Sequence, residues 1–357
     1  MARGALPQAI KDFERGLALL KALPSGAKRD ALELQTLGPL GMAYIAVRGY
    51  AAPEVGPVFV RARQLSERIG QPPQVFAVFW GNFVWHAARG DGFSMDLARE
   101  AIGLAERFDD PGIWMEALFL LGATLFYRGN FVGANVQFEK ALSLYDDRER
   151  ARLWASRLGQ DAGIGHRCHL MLALWYLGYP EQALRASGEL RRLAHLIGHP
   201  FSLAYAQHHT TWLYHQLRLP AETKAASEEG IQTATEQGFA MFHATETLFR
   251  AAGVLLDRRP GEALPLLTRA LEAYRAIGAG VWLPCFLGIL GDAHIQAGRP
   301  DDAREALMRA WPLPRGAMSF VKRPNCCAST ANLRCSGRIR RGLRTGSVRR
   351  LEPRSTS

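Results

Sequence analysis

Cysteine is scarce in this chain. Of 357 residues only Cys168, Cys285, Cys326, Cys327 and Cys335 carry a thiol, and three of those five lie beyond residue 325. No spacing among them reads as a disulfide framework, and a chain of this length can bury a core without one. Long apolar runs are missing too. The most apolar window, 113–127, contains Glu116 and falls short of the ~20 residues that a spanning helix needs. The N-terminus, MARGALPQAIKDFERG, has charges where a signal peptide needs an apolar stretch. No G-x-x-x-x-G-K-[ST] occurs, so the loop and lysine that cradle nucleotide phosphates are absent. Acids are nearly missing from the C-terminus. Residues 315–357 hold 11 of the 44 Lys and Arg but one of the 33 acids, Glu352. The net charge of +11 therefore belongs to a tail, while residues 1–314 keep 33 basic and 32 acidic side chains. A cytoplasmic chain with a near-neutral body and no membrane segment is expected.

What the chain has in quantity is a repeated plan. In Leu121–Tyr145 a small residue, Gly122, precedes a turn at Gly129–Asn130, followed by Phe131, Ala134, Phe138 and Ala141. Small residues at Gly122, Ala134 and Ala141 let two helices approach closely, and Phe138 fills the gap left between them. This resembles a tetratricopeptide repeat, a helix–turn–helix unit that buries its apolar face by stacking on neighbours. Pro180, Pro220, Pro260 and Pro300 recur every 40 residues, as do Gly198, Gly238 and Gly278. The prolines suit helix starts, where a missing N–H costs nothing, and the glycines suit C-terminal caps. Turn markers Gly90, Gly129, Gly178, Arg218, Arg258 and Gly298 follow at spacings of 39, 49, 40, 40 and 40. The long interval implies an inserted connection, part helical and mostly exposed. The pattern predicts helices over 8–22, 28–47, 54–69, 73–89, 94–107, 113–128, 131–145, 164–177, 181–196, 201–217, 221–236, 240–257, 261–276, 281–297 and 301–311. The fold class is all-α, a right-handed superhelix of helical hairpins. Its parts are N-terminal pairs (1–146), the connection (147–163), C-terminal pairs (164–312) and a basic tail (313–357).

Several runs carry a narrower resemblance: RGLALLKALPSGAKRDALELQTLGP (15–39), RGYAAPEV (48–55), LGATLFYRGNFVGANVQFEKALSLYD (121–146) and ATEQGF (234–239). They resemble the C-terminal tetratricopeptide region of bacterial signalling ATPases linked to class III adenylate/guanylate cyclases. In that family the repeats act as sensor or partner-binding arms. The nucleotide chemistry would sit elsewhere in such proteins, because no phosphate loop stands here and no paired-aspartate cyclase site can be placed. The tail departs from the family's amphipathic pattern and reads as the product of a shifted frame near residues 311–318. The first helix, without a preceding partner, reads as the start of a fragment of a longer parent.

The resemblance implies that the first helix of each pair lines a concave groove. The groove candidates are Trp80 and Val84; Glu116, Phe119, Phe126 and Tyr127; Cys168, Trp175 and Tyr176; Tyr205, His208, Trp212, His215 and Gln216; and Asp292 and Gln296. Such a surface is aromatic with little positive charge, which suits an apolar or aromatic peptide rather than an acidic tail. The competing reading is that these rings simply pack helix against helix. His166, Cys168, His169, His208, His209 and His215 offer soft donors but no fourth ligand at a useful spacing, so no metal, cofactor or catalytic residue is assigned. The Arg-rich tail has one aromatic, Phe320, and no stacking platform, so specific nucleic-acid binding is not expected. The chain is expected to be a non-catalytic protein–protein interaction arm that captures a protein or peptide partner. Its uncapped ends would support self-association. The alternatives are a nucleotide cyclase or ATPase and the arm of a transcriptional regulator.

Overall fold

The computed structural model describes residues 5–69, 72–89, 94–145 and 159–310. Among them every regular element is an α-helix: α1 Ala5–Leu20, α2 Ala27–Arg48, α3 Val55–Ile69, α4 Pro72–Arg89, α5 Met95–Phe108, α6 Pro111–Tyr127, α7 Phe131–Ser143, α8 Ala162–Tyr176, α9 Pro180–Ile197, α10 Pro200–Gln216, α11 Pro220–Gln237, α12 Ala240–Leu256, α13 Pro260–Ala276, α14 Leu283–Gln296 and α15 Pro300–Ala310. Each packs on the next as one arm of a hairpin, and the inner helices α8, α10 and α12 also touch one another in series. None of these helices is long and apolar enough to cross a membrane.

Local chemistry sets the boundaries. Pro180, Pro220 and Pro260 occupy the first turns of α9, α11 and α13, and Pro300 opens α15. There the ring's fixed φ is already helical and no N–H is lost. Gly198 and Gly238 close α9 and α11 in the left-handed conformation, with their N–H groups donating to the carbonyls of Ala194 and Ala234. The hairpin turn needs the same conformation: φ is 80° at Gly129, 91° at Gly178 and 72° at Gly298. Arg218 and Arg258 hold that position at 57° and 63°, a placement that costs a residue with a Cβ about 1 kcal/mol.

The small-against-large pairing recurs through the stack. Phe138, Ala134 and Ala141 are fully buried, and a Cβ on Gly122 would come within 2.5 Å of the Phe138 ring. Two pairs earlier, the Phe59 ring fills a slot between Gly41 and Gly81, where a Cβ on either would collide with it. Burying each such ring contributes ~1.5–3 kcal/mol.

The array does not stay open. The turn after α2 reaches the far half of the chain: Gly49 packs on Met241, and Gly278 packs against the carbonyl of Ala51. The amides of Gly280 and Val281 both donate to Ala88 O, at 2.9 and 3.0 Å. Trp282 Nε1 donates to Tyr127 OH at 3.1 Å, inside the protein. The inward face of the hairpins thereby becomes an interior.

The connection expected at 147–163 lies largely outside the described residues, and so does the tail from 311 onward. Where the connection re-enters at Gln160–Gly163 it is buried, not exposed. The reason is capping. Asp161 accepts the N–H of Ile164 at 3.0 Å and the Tyr145 hydroxyl at 3.0 Å, and its own N–H donates to Ser202 Oγ at 2.8 Å. At the N-terminal end, Ile10, Phe13 and Leu17 of α1 are covered, and Tyr44 of α2 donates to Glu14 at 2.5 Å. At the other end Ile295, Leu307 and Met308 remain exposed.

Candidate functional site

The interior holds a partly open cavity of ≈ 70 Å³, walled by Tyr50, Trp80, Phe119, Tyr127, Tyr205 and Trp282 with apolar side chains between them. A smaller annex of ≈ 10 Å³ shares Trp80, Phe119 and Gln160 with it and is closed off by Glu116 and Gly165. Inner helices supply most of the walls: Trp80 from α4, Glu116 to Tyr127 from α6, His169 from α8 and Tyr205 from α10. The ring of helices is completed by two segments outside that series, the turn bearing Tyr50 and the turn bearing Val281–Trp282. Tyr50 OH donates to Gln160 Oε1 at 3.2 Å, so the re-entering connection forms part of the wall.

Of the groove candidates, the structure brings Trp80, Val84, Phe119, Tyr127 and Tyr205 to the cavity and Glu116 to its annex. They are not displayed as an open groove. Trp80, Glu116, Phe119, Phe126, Tyr127, Cys168, Tyr205, His208, Trp212, His215 and Gln216 are all buried, because the array closes over them. Phe126 meets the rings of Tyr127 and His169 edge-on at 5.3 and 5.5 Å. Trp212 faces Trp282 at 5.9 Å, and His215 lies against Phe249 at 5.7 Å. The remaining four candidates are partly exposed. Trp175 packs edge-on against Tyr176, and Tyr176 accepts from Gln216 Nε2 at 3.4 Å. Gln296 donates to Asp292 at 3.1 Å, well away from the cavity. Sequence reasoning missed Tyr50, Gln160, His169, Met241, Val281 and Trp282. Closure brings Tyr50, Met241, Val281 and Trp282 to the site, while His169 and Gln160 arrive with α8 as it stacks on α6.

Electrostatically the interior favours neutral groups. Burial raises the Glu116 carboxyl to about 8, with the charge of Asp161 adding to the rise. The Trp80 indole N–H lies beside that carboxyl and lowers it slightly, yet makes no hydrogen bond of good geometry. Burial also pushes the phenols of Tyr50, Tyr127 and Tyr205 up. Burial lowers His169 to about 4, while its bond to the Gly165 carbonyl opposes the shift. His169 is therefore neutral at pH 7. Its Nδ1–H donates to Gly165 O at 3.2 Å, which leaves Nε2 as the basic nitrogen. His209 donates likewise to Tyr205 O at 2.8 Å, and His166 Nε2 donates to Met115 O at 3.1 Å. These imidazoles are engaged in holding backbone carbonyls. His208 Nδ1 sits 3.1 Å from Glu246 Oε1 with both side chains buried. Burial raises the Glu246 carboxyl, and its bond to His208 opposes the rise.

Sequential helical hairpins stacked with small-on-large contacts define a tetratricopeptide-like helical repeat protein. No family model matches the sequence, and no curated protein does. Among solved structures, the chain is similar to one described as a Rap protein complexed with competence and sporulation factor. The match has a TM-score of 0.52 at 14% identity and covers 85% of this chain and 88% of that one. It bears on the fold.

Proposed function

We propose that this chain is a non-catalytic regulatory arm that captures a protein or peptide partner on its inward aromatic face. The observation that carries the reading is the grouping of Trp80, Phe119, Tyr127, Tyr205 and Trp282 around one interior space. Large rings concentrated at one place are the anchors that dominate binding surfaces. A partner larger than the pocket requires the array to open along its seam. Two amides on Ala88 O and the Trp282–Tyr127 bond supply roughly 2–4 kcal/mol of hydrogen bonding. Support also comes from the solved Rap protein of this fold, which holds a bound factor. The runs at 15–39 and 121–146 favour a parent of the cyclase-linked signalling ATPase kind, acting in the cytoplasm. Exposed Ile295, Leu307 and Met308 would serve end-to-end self-association.

The test is selection from a random peptide library on the full chain. Enriched peptides should carry aromatic or apolar anchors, and Tyr205→Ala or Trp80→Ala should weaken them by about tenfold or more, as hot-spot truncations do. Equal binding by the variants would overturn the reading. So would turnover of ATP or GTP by the pure protein with a divalent metal.

A further inference from the structure

The cavity has a chemical character that macromolecular capture does not use. Its aromatic walls come from Tyr50, Trp80, Phe83, Phe119, Tyr127, Tyr205 and Trp282, and among the described residues no lysine or arginine lines it. The acids at its edge are Glu116, which walls the annex, and Asp161, close enough to act on Glu116 through its charge. The neighbouring base, Arg167, lies with its guanidinium over the Tyr145 ring at 5.2 Å and donates to Gly163 O at 3.1 Å. An anion would meet no charged base among the described lining residues, only the neutral donors of the phenols, Gln160, His169 and the Trp80 indole. A cation would meet tryptophan and tyrosine rings, whose negative faces attract ammonium groups strongly. The Trp80 indole N–H is buried without a partner. It is a donor only, so it needs an acceptor, and Glu116, protonated in the empty site, would become one when a bound cation draws off its proton.

Size narrows the class. At ~10–15 Å³ of free volume per water, the cavity of ≈ 70 Å³ holds about five waters and the annex of ≈ 10 Å³ about one. We propose that the interior cavity is a binding site for a small organic ammonium ion, its cationic head among the Trp80, Tyr127, Tyr205 and Trp282 rings and Glu116 as counter-charge across the annex. An occupant would bridge helices from both halves of the chain and so hold the array shut. The assignment rests on the closed form alone. It stands or falls separately from peptide capture.

The experiment is titration calorimetry on the full chain with tetramethylammonium and with tert-butanol, a neutral molecule of nearly the same shape. Tetramethylammonium should bind about tenfold or more tightly than tert-butanol, the gain a desolvated cation–aromatic cage supplies. Glu116→Gln should weaken the cation about tenfold and leave the alcohol unchanged. Ala123→Leu, which fills the cavity from α6 and keeps Glu116, should abolish both, with helical circular dichroism confirming that it folds. Equal affinity for the two molecules would overturn the cation assignment. Undetectable binding of tetramethylammonium, or binding indifferent to Ala123→Leu, would overturn the site.

Discussion

Lowering the pH from 7 to 5 should destabilise this protein, because it buries several imidazoles in their neutral form. Burial lowers His166 to about 3 and His169 and His215 to about 4. Each then has a folded value below its unfolded one of about 6.5. Stability from such a group is present above the unfolded value and is lost as pH falls toward the folded one. Between pH 7 and 5 each of the three loses about 2 kcal/mol, or nearly 6 together. Burial lowers His209 as well, which adds to the loss. Glu116 works the other way. Its carboxyl is raised to about 8, so its contribution is present below pH 4.5 and is lost as pH rises through 8. Over the same interval it returns about 2.5 kcal/mol, and Glu246, raised by burial, adds in the same sense. The net expectation is a loss of about 3 kcal/mol, a large share of the 5–15 kcal/mol usual for a domain. Urea unfolding at the two pH values measures it. His169→Gln should shrink the drop by about 2 kcal/mol, and Glu116→Gln should enlarge it by about 2.5. Any constant cost of either substitution cancels in the difference between pH values. A wild-type drop below about 1 kcal/mol, or one unchanged in His169→Gln, would refute the neutral-imidazole interior.

Other consequences follow from packing and backbone geometry. Gly81→Ala drives a methyl into the Phe59 ring, and thermal or chemical unfolding should register a loss of about 1–3 kcal/mol. Arg258→Gly relieves a left-handed residue at φ 63° and should raise stability by about 0.5–1 kcal/mol in the same assay. Trp282→Phe keeps a ring at the seam but removes the donation to Tyr127. The amides of Gly280 and Val281 should then exchange with deuterium faster, while those of α6 and α7 keep their protection, since the bond contributes about 1 kcal/mol to closure.

The sequence carries the repeat because every cue for it is local. Pro180 starts a helix through its own ring and Gly198 ends one through its own φ, so a period of 40 residues in such markers is a period in hairpins. The contact between Gly122 and Phe138 spans one turn and could be read from spacing alone. The tetratricopeptide resemblance likewise implied that Trp80, Phe119, Tyr127 and Tyr205 face inward, since they fall on the first helices of their pairs. What that face becomes was beyond the sequence. Whether the hairpins stay open as a groove or close into a ring depends on small rotations between successive pairs, summed over the whole stack. No single residue records that sum. Ala88 meets Gly280 and Tyr127 meets Trp282 only once the later pairs have come round to the earlier ones, and Tyr50 meets Gln160 from 110 residues away. The hairpins and their small-on-large packing were therefore determined by sequence. The cavity, the burial of Glu116 beside it and the neutral state of His169 were decided by the tertiary structure, because each depends on residues far away along the chain.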